Sequence, residues 1–227
     1  MSTNDRRRER LEPQDGTRAD LRTTLLEHAI ALTRQKGPDG VSLREVQRRS
    51  GVSPAAAYKH YRDREALLLA VGQRASAVLA DAIQVALDAV PPGRDAKWTA
   101  IARLRAGSAA YLDFARREPG LYRAVFLTDE APADLQNPAA ASRGTGGLGP
   151  YQLLQQCLQD LIAQGILPEA NARWSDTTVW AASHGLAMLL LDGPLRRLDD
   201  IQKQQATDRL LDIVIAGLAN QDTANRR

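Results

Sequence analysis

A single cysteine in 227 residues, Cys157, excludes an internal disulfide framework and fits a reducing compartment. Its apolar neighbours point to a small buried hydrophobe rather than a reactive thiol. Aromatic residues make up only 4% of the chain, so the position of each one carries information. No run approaches the ~18 consecutive apolar residues of a membrane span. The N-terminus, MSTNDRRRERLEPQDG, is charged and lacks the apolar segment of a secretory signal. A soluble, cytoplasmic protein with no membrane partner is therefore expected. The three histidines, His28, His60 and His184, are too scattered for a metal motif. Neither G-x-S-x-G nor H-E-x-x-H occurs. Gly144, Gly146 and Gly149 satisfy G-x-G-x-x-G, but that phosphate fingerprint requires a preceding strand in a βαβ unit, and no alternating β pattern is present. The stretch reads as a loop. No catalytic residue, metal or cofactor is expected.

What is present is an ordinary globular balance, 44% hydrophobic and 25% charged, with the charge unevenly placed. Residues 18–64 hold ten Lys/Arg against five Asp/Glu, a net +5, while residues 1–17 cancel. The rest of the chain is mildly acidic. A basic head on an acidic body suggests a polyanionic partner at one end.

Residues 1–17 mix Pro, Gly and charges without periodicity and read as a disordered arm, in which Arg6, Arg7, Arg8 and Arg10 can touch phosphates. From Arg18 the pattern is helical: Leu21, Leu25, Ala29 and Leu32 share a face, and Gly37-Pro38-Asp39-Gly40 stops the helix. Ser42 caps a short second helix, with Glu45 completing a capping box, and Gly51-Val52-Ser53 breaks it. Ser53 caps a third helix, with Pro54 at its first position, ending near Tyr61. Asp63 starts a long fourth helix whose apolar stripe, Leu67 to Ile83, lasts until Pro91-Pro92-Gly93. Further helices follow through the C-terminal half, the last two at about 171–191 and 201–220. Residues 129–149, rich in Pro, Ala, Gly and Ser, read as a mobile loop. The fold class is all-α.

The segment VSLREVQRRSGVSPAAAYKHY, Val41 to Tyr61, has the parts of a helix-turn-helix. Gly51 suits the positive φ of a tight turn, and Val46, Val52 and Ala57 point inward to hold the crossing angle. Pro54, Ala55 and Ala56 are small enough to let the third helix approach a major groove closely, and its positive end faces phosphates.

This stretch resembles the TetR family of transcriptional regulators. The resemblance rests on Gly37, Gly40, Val41-Ser42-Leu43-Arg44, Val46, Ser50-Gly51-Val52-Ser53, Ala57-Tyr58-Lys59-His60-Tyr61 and Arg64-Glu65-Ala66-Leu67-Leu68. It implies a three-helix DNA-binding head at 18–64, joined by a long fourth helix to a helical-bundle effector-binding and dimerisation domain at 65–227. By the same resemblance Ser42, Tyr58, His60 and Arg64 bind phosphates, Arg44 and Lys59 reach a base or a phosphate, Pro54, Ala55 and Ala56 face the bases, and Ser53 belongs to the DNA-binding set. Tyr61 takes the family's buried aromatic position. Gln47 departs from the pattern, standing where Ala is usual. Either the crossing angle opens or its side chain turns outward.

Trp180-Ala181-Ala182-Ser183-His184-Gly185 resembles the Trp-x-x-x-His-Gly motif of one TetR C-terminal subfamily. This implies a homodimer through the last two helices, using Val179, Leu186, Leu189, Leu190, Leu210, Leu211, Val214, Ile215 and Leu218. The body residues Trp98, Tyr111, Phe114, Tyr122, Phe126, Trp180 and His184, with Trp174, are candidates to line a cavity for a small-molecule effector. The expected function is a ligand-responsive repressor that leaves a near-palindromic duplex DNA operator when a small molecule binds. The alternatives are a helical interaction protein that does not bind DNA, and an enzyme.

Overall fold

A computed structural model describes residues 15–93, 95–127 and 132–219, and every regular element among them is helical. The arginines of the N-terminal arm lie outside the described residues. Helix α1, Asp15–Lys36, starts three residues inside the stretch read as an arm, so the aperiodic segment is shorter than composition suggested. Leu25, Ala29 and Leu32 are fully buried along one side of α1 and form the floor of the head. The helix ends at Gly37, whose φ of 71° is unfavourable for any residue with a Cβ.

Helices α2, Leu43–Ser50, and α3, Pro54–His60, pack against α1. Between them Gly51 adopts the left-handed conformation, φ 68° and ψ 9°. Both helices start on serine caps: Ser42 Oγ accepts from Glu45 N at 3.2 Å, and Ser53 Oγ from Ala56 N at 3.3 Å. Each cap satisfies an amide that has no partner within its own helix. Tyr61 closes the head, 1% exposed, with its hydroxyl on the Arg22 carbonyl.

Helix α4, Arg64–Asp88, begins on the Asp63 carboxylate and runs through the centre of the molecule. Its length and mean hydropathy would suit a membrane span, but one side of it packs inside the protein, with Leu69 and Val85 left exposed. Leu67, Val71, Ala75, Leu79 and Leu87 are all almost completely buried. Around α4 stand α5, Ala96–Arg117, and α6, Pro119–Val125, followed by the single turn α7, Pro132–Gln136. Then come α8, Pro150–Ala163, α9, Ser175–Leu191, and α10, Asp200–Ala219. Helix α9 starts later than periodicity predicts, because Trp174 takes a left-handed conformation (φ 66°) that breaks the chain direction.

The stretch read as a mobile loop is fastened over the residues described. Asp81 of α4 accepts from Thr145 N at 2.6 Å and from Thr145 Oγ1 at 2.8 Å. Arg143 donates to the Pro138 carbonyl and to Asn137 Oδ1, and Ser142 is buried. Gly, Ser and Pro permit tight backbone approach as readily as disorder. The anchoring carboxylate lies more than sixty positions away in the chain, where composition cannot show it.

Candidate DNA interface and ligand cavity

The head buries one side of its two short helices and exposes the other. Val46 and Ala57 are fully buried and Val52 is half-buried against them. Opposite, Ser42, Arg44, Ser53, Pro54, Ala55, Tyr58 and Lys59 are exposed, and Ala56 and His60 half-buried. A seven-residue helix with Pro-Ala-Ala-Ala as its first turn is therefore thin at the end that points outward. Tyr58 is 56% exposed, which fits an available hydroxyl and not a core ring.

The basic excess of the head is selectively available. Glu45 receives Arg48 through two nitrogens at 2.8 Å and Arg49 at 3.0 Å. These hydrogen bonds hold the Glu45 carboxyl well below the usual range, at about 2. Arg49 also donates to Gln35 Oε1, and Arg62 pairs with Asp63. Among the described residues Arg44 and Lys59 enter none of these ion pairs, and they flank the exposed face of α3.

Arg64, expected on a phosphate, is exposed but hydrogen-bonded to backbone carbonyls of the head. Its Nε donates to the Val41 carbonyl at 2.8 Å and one terminal nitrogen to the Pro38 carbonyl at 3.0 Å. It ties α4 to the turn between α1 and α2, giving the Val41 carbonyl a partner and adding a second donor to the Pro38 carbonyl, which already accepts from Val41 N. Arg64→Ala should therefore cost about 1–2 kcal/mol, roughly 2–8 °C of melting temperature. Thermal melts read beside the salt dependence of DNA binding separate this from phosphate contact. A normal melt with a reduced salt slope would return Arg64 to the DNA face.

Gln47 does not turn outward. Its residue is 8% exposed and its Nε2 lacks a hydrogen-bond partner. The head holds the side chain inside at the cost of one buried donor without a partner.

In the body, α4, α5, α8 and α9 and the turn before α8 enclose a cavity of about 200 Å³. Its walls are Leu79, Ile83, Leu104, Leu153 and Val179, with Phe126, Tyr151 and Trp180 as aromatic panels. No described lining residue is charged. Trp180 stacks on Phe126 at 6.4 Å between ring centroids and meets Tyr151 edge-on at 5.8 Å. One corner is polar: Ser108 and Tyr111 on α5 oppose Trp180 and Ser183 on α9.

Behind that corner lies a closed set of hydrogen bonds. Tyr111 Oη and Tyr122 Oη are 2.9 Å apart, and they stand 3.0 and 2.8 Å from His184 Nδ1. Trp180 Nε1 donates to Tyr111 Oη at 3.3 Å. Two phenolic O–H donors converge on Nδ1, so we assign that nitrogen as the acceptor and the ring proton to Nε2. Burial pushes His184 down from its ordinary pKa, which keeps the ring neutral, and pushes Tyr111 up to about 12. Burial likewise raises Tyr122 and takes the Cys157 thiol up to about 11.

Of the cavity candidates read from sequence, Tyr111, Phe126 and Trp180 line the space. Tyr122 and His184 form the layer behind it. Phe114 does not line it, being 6% exposed in the core. Trp98 does not reach it either: it sits at the start of α5, half-exposed, with its ring over Gly93. Trp174 is exposed, with the Arg173 guanidinium 5.7 Å above its ring. Tyr151, Cys157, Ser108 and Ser183 were missed as lining residues. The i, i+3 pairs Ser108–Tyr111 and Trp180–Ser183 were a usable signal, since each pair shares a helix face.

Residues 25–71 match the family model described as "Bacterial regulatory proteins, tetR family", and residues 104–214 match "Tetracyclin repressor-like, C-terminal domain". Nothing among curated protein sequences matches the chain. Among solved structures it resembles a protein of unknown function from Rhodococcus sp. RHA1, with 28% identity, TM-score 0.69, and 88% of this chain and 96% of that one covered. A TetR-family transcriptional regulator from Pectobacterium atrosepticum superposes with TM-score 0.65 at 19% identity, covering 91% and 98%. A TetR variant from Acinetobacter baumannii AYE, solved in complex with minocycline, gives TM-score 0.58 at 18% identity, covering 86% and 94%. These last two likenesses are of fold. The head answers to one model and the body to the other: the chain belongs to the TetR family of DNA-binding transcription regulators.

Proposed function

We propose that the protein is a homodimeric repressor that a small molecule bound in the α4–α5–α8–α9 cavity releases from a near-palindromic operator. The observation that carries the DNA half is the exposed, small-residue first turn of α3 between the unpaired cations Arg44 and Lys59. In this reading Ser42, Arg44, Tyr58, Lys59 and His60 hold phosphates or base edges, and Ser53 to Ala56 lie on the groove floor. Two copies of α3 then enter major grooves ~34–36 Å apart, or a multiple of that spacing. The test is an electrophoretic shift with DNA flanking its own gene. A dimer making ~6–10 phosphate contacts loses roughly 10³–10⁵-fold in affinity between ~50 and ~200 mM salt. Lys59→Ala should reduce that salt slope by about 1. Absence of any shift at low salt would favour a helical module without DNA function.

The dimer half is supported by the outer surface of the last two helices. Ala181, Gly185, Met188 and Leu189 are exposed along α9, and Leu210, Ile213 and Gly217 recur at helical spacing on the outward side of α10. Val179, Leu186, Leu211, Ile215 and Leu218, expected in this surface, are buried within the protomer instead, so they build the subunit and not its contact. Ile213 is 55% exposed. Ile213→Glu should leave the protomer folded and halve the mass seen by light scattering at micromolar concentration. An unchanged dimer would move the contact elsewhere.

The signal has a short physical route. Helix α6 carries Val125 and Phe126 at the cavity end. At its other end Gly120 touches the backbone of Thr33, and Glu118 pairs with Arg34 at 3.0 Å. A ligand that favours one placement of Phe126 thereby biases α1 and the head, a population shift driven by differential affinity.

A further inference from the structure

Resting on the ligand-responsive reading above, we infer that the cavity selects a compact, uncharged, largely apolar molecule that presents an O–H or N–H donor to Tyr111. The described lining disfavours charge. No described side chain around the space is ionic, and the aromatic and aliphatic walls supply no partner that would offset desolvation of an ion. The groups that can titrate there, Tyr111, Tyr151 and Cys157, are all held neutral by burial. A volume of about 200 Å³ is somewhat larger than the ~150 Å³ that accommodates benzene, which suits a compact ligand.

The polarity of the anchor follows from where the protons go. With His184 Nδ1 as acceptor, the Tyr122 proton goes to that nitrogen at 2.8 Å. The Tyr111 proton goes to Tyr122 Oη or to the same nitrogen. The indole proton of Trp180 is already on Tyr111 Oη. Tyr151 behaves alike, donating to Asp176 Oδ2 at 2.7 Å. All three fixed donors on the cavity wall are thus committed to protein acceptors. A phenol oxygen has two lone pairs, so Tyr111 Oη, which already accepts from Trp180 Nε1, keeps one for a ligand donor, and Tyr151 Oη keeps accepting capacity as well. The site therefore complements a donor. An ether or ketone of the same shape meets only the rotatable hydroxyls of Ser76, Ser108 and Ser183.

The test uses the full-length dimer at pH 7 and three probes of one shape: 2-naphthol, its methyl ether and 2-naphthoate. Equilibrium dialysis reads binding, and an operator shift in parallel reads release. The alcohol should bind about three- to tenfold more tightly than the ether, and at least roughly a hundredfold more tightly than the carboxylate. Tyr111→Phe should bring alcohol and ether within about twofold, because the ring remains and the Tyr122–His184 bond is untouched. Equal binding of alcohol and ether, tighter binding of the carboxylate, binding of none, or an alcohol preference that survives Tyr111→Phe would each overturn the assignment. Should the variant fail to fold, the three-probe series on the unaltered protein decides alone. Binding in the expected order without release of DNA would leave the ligand class standing and sink the release reading. Release by the carboxylate alone would do the reverse.

Discussion

Ala55→Glu is expected to lower operator affinity by at least ~10²-fold, while helicity, melting temperature and dimer mass stay unchanged. Ala55 is exposed in the first turn of α3 and its methyl group contributes nothing to the core. A glutamate there suits the helix locally, because carboxylates near a helix N-terminus gain a few tenths to about 1 kcal/mol. The fold therefore has no reason to object. Against duplex DNA the same carboxylate would be driven toward phosphates, and a longer side chain would hold α3 away from the groove floor. Like-charge juxtaposition at an interface costs several kcal/mol, far more than the loss of one cation from the rim. Ala55→Gln, of the same size but uncharged, separates the electrostatic part from the steric part. Fluorescence anisotropy with an operator fragment at low salt checks both. Undiminished affinity in Ala55→Glu would remove α3 from the interface, and the groove-reading account would fall with it.

Gly120→Ala is expected to destabilise the protein by about 2–4 kcal/mol, a fall of roughly 4–16 °C in melting temperature at fixed protein concentration. A Cβ on Gly120 would stand 2.1 Å from the Thr33 carbonyl oxygen and 2.9 Å from its carbonyl carbon. Both are backbone atoms of a buried helical residue, and neither can rotate aside as a side-chain end would. Thr33 is itself fixed, fully buried with its hydroxyl on the Ala29 carbonyl at 2.8 Å. Helix α6 must therefore lift from α1, loosening the Arg34–Glu118 pair beside it. The substitution strikes the contact that carries the signal in the proposed route from cavity to head. The same protein should accordingly respond less to any bound ligand. Calorimetric melts, with binding to DNA measured well below the transition, would show both effects. A melt within about 2 °C of the parent would mean that the joint gives easily and that α6 carries no signal.

The caps at Ser42, Ser53 and Asp63 were legible in the sequence because each acts within three residues, as were the turn at Gly51 and the Pro at the start of α3. The cavity was legible only in part. Tyr111 and Trp180 were found because aromatics are few, but so was Phe114, which faces the core, and nothing local distinguishes the two destinations. Ser108 and Ser183 looked like ordinary helix-surface serines until α5 and α9 were brought together. Arg64 looked like a cation at the start of a helix, the usual place to meet a phosphate. The carbonyls that hold it come from residues more than twenty positions earlier.

Short-range periodicity, capping and charge suffice to set the all-helical class, the helix-turn-helix and the basic head. Which aromatics face the cavity, which apolar residues of α9 and α10 remain outside, and the tie of the Gly-rich stretch to Asp81 emerge from packing alone. The difference is one of range. A cap or a helical stripe is set by neighbours within one or two turns, whereas a cavity wall, an unpartnered face or a loop anchor exists only where distant helices meet.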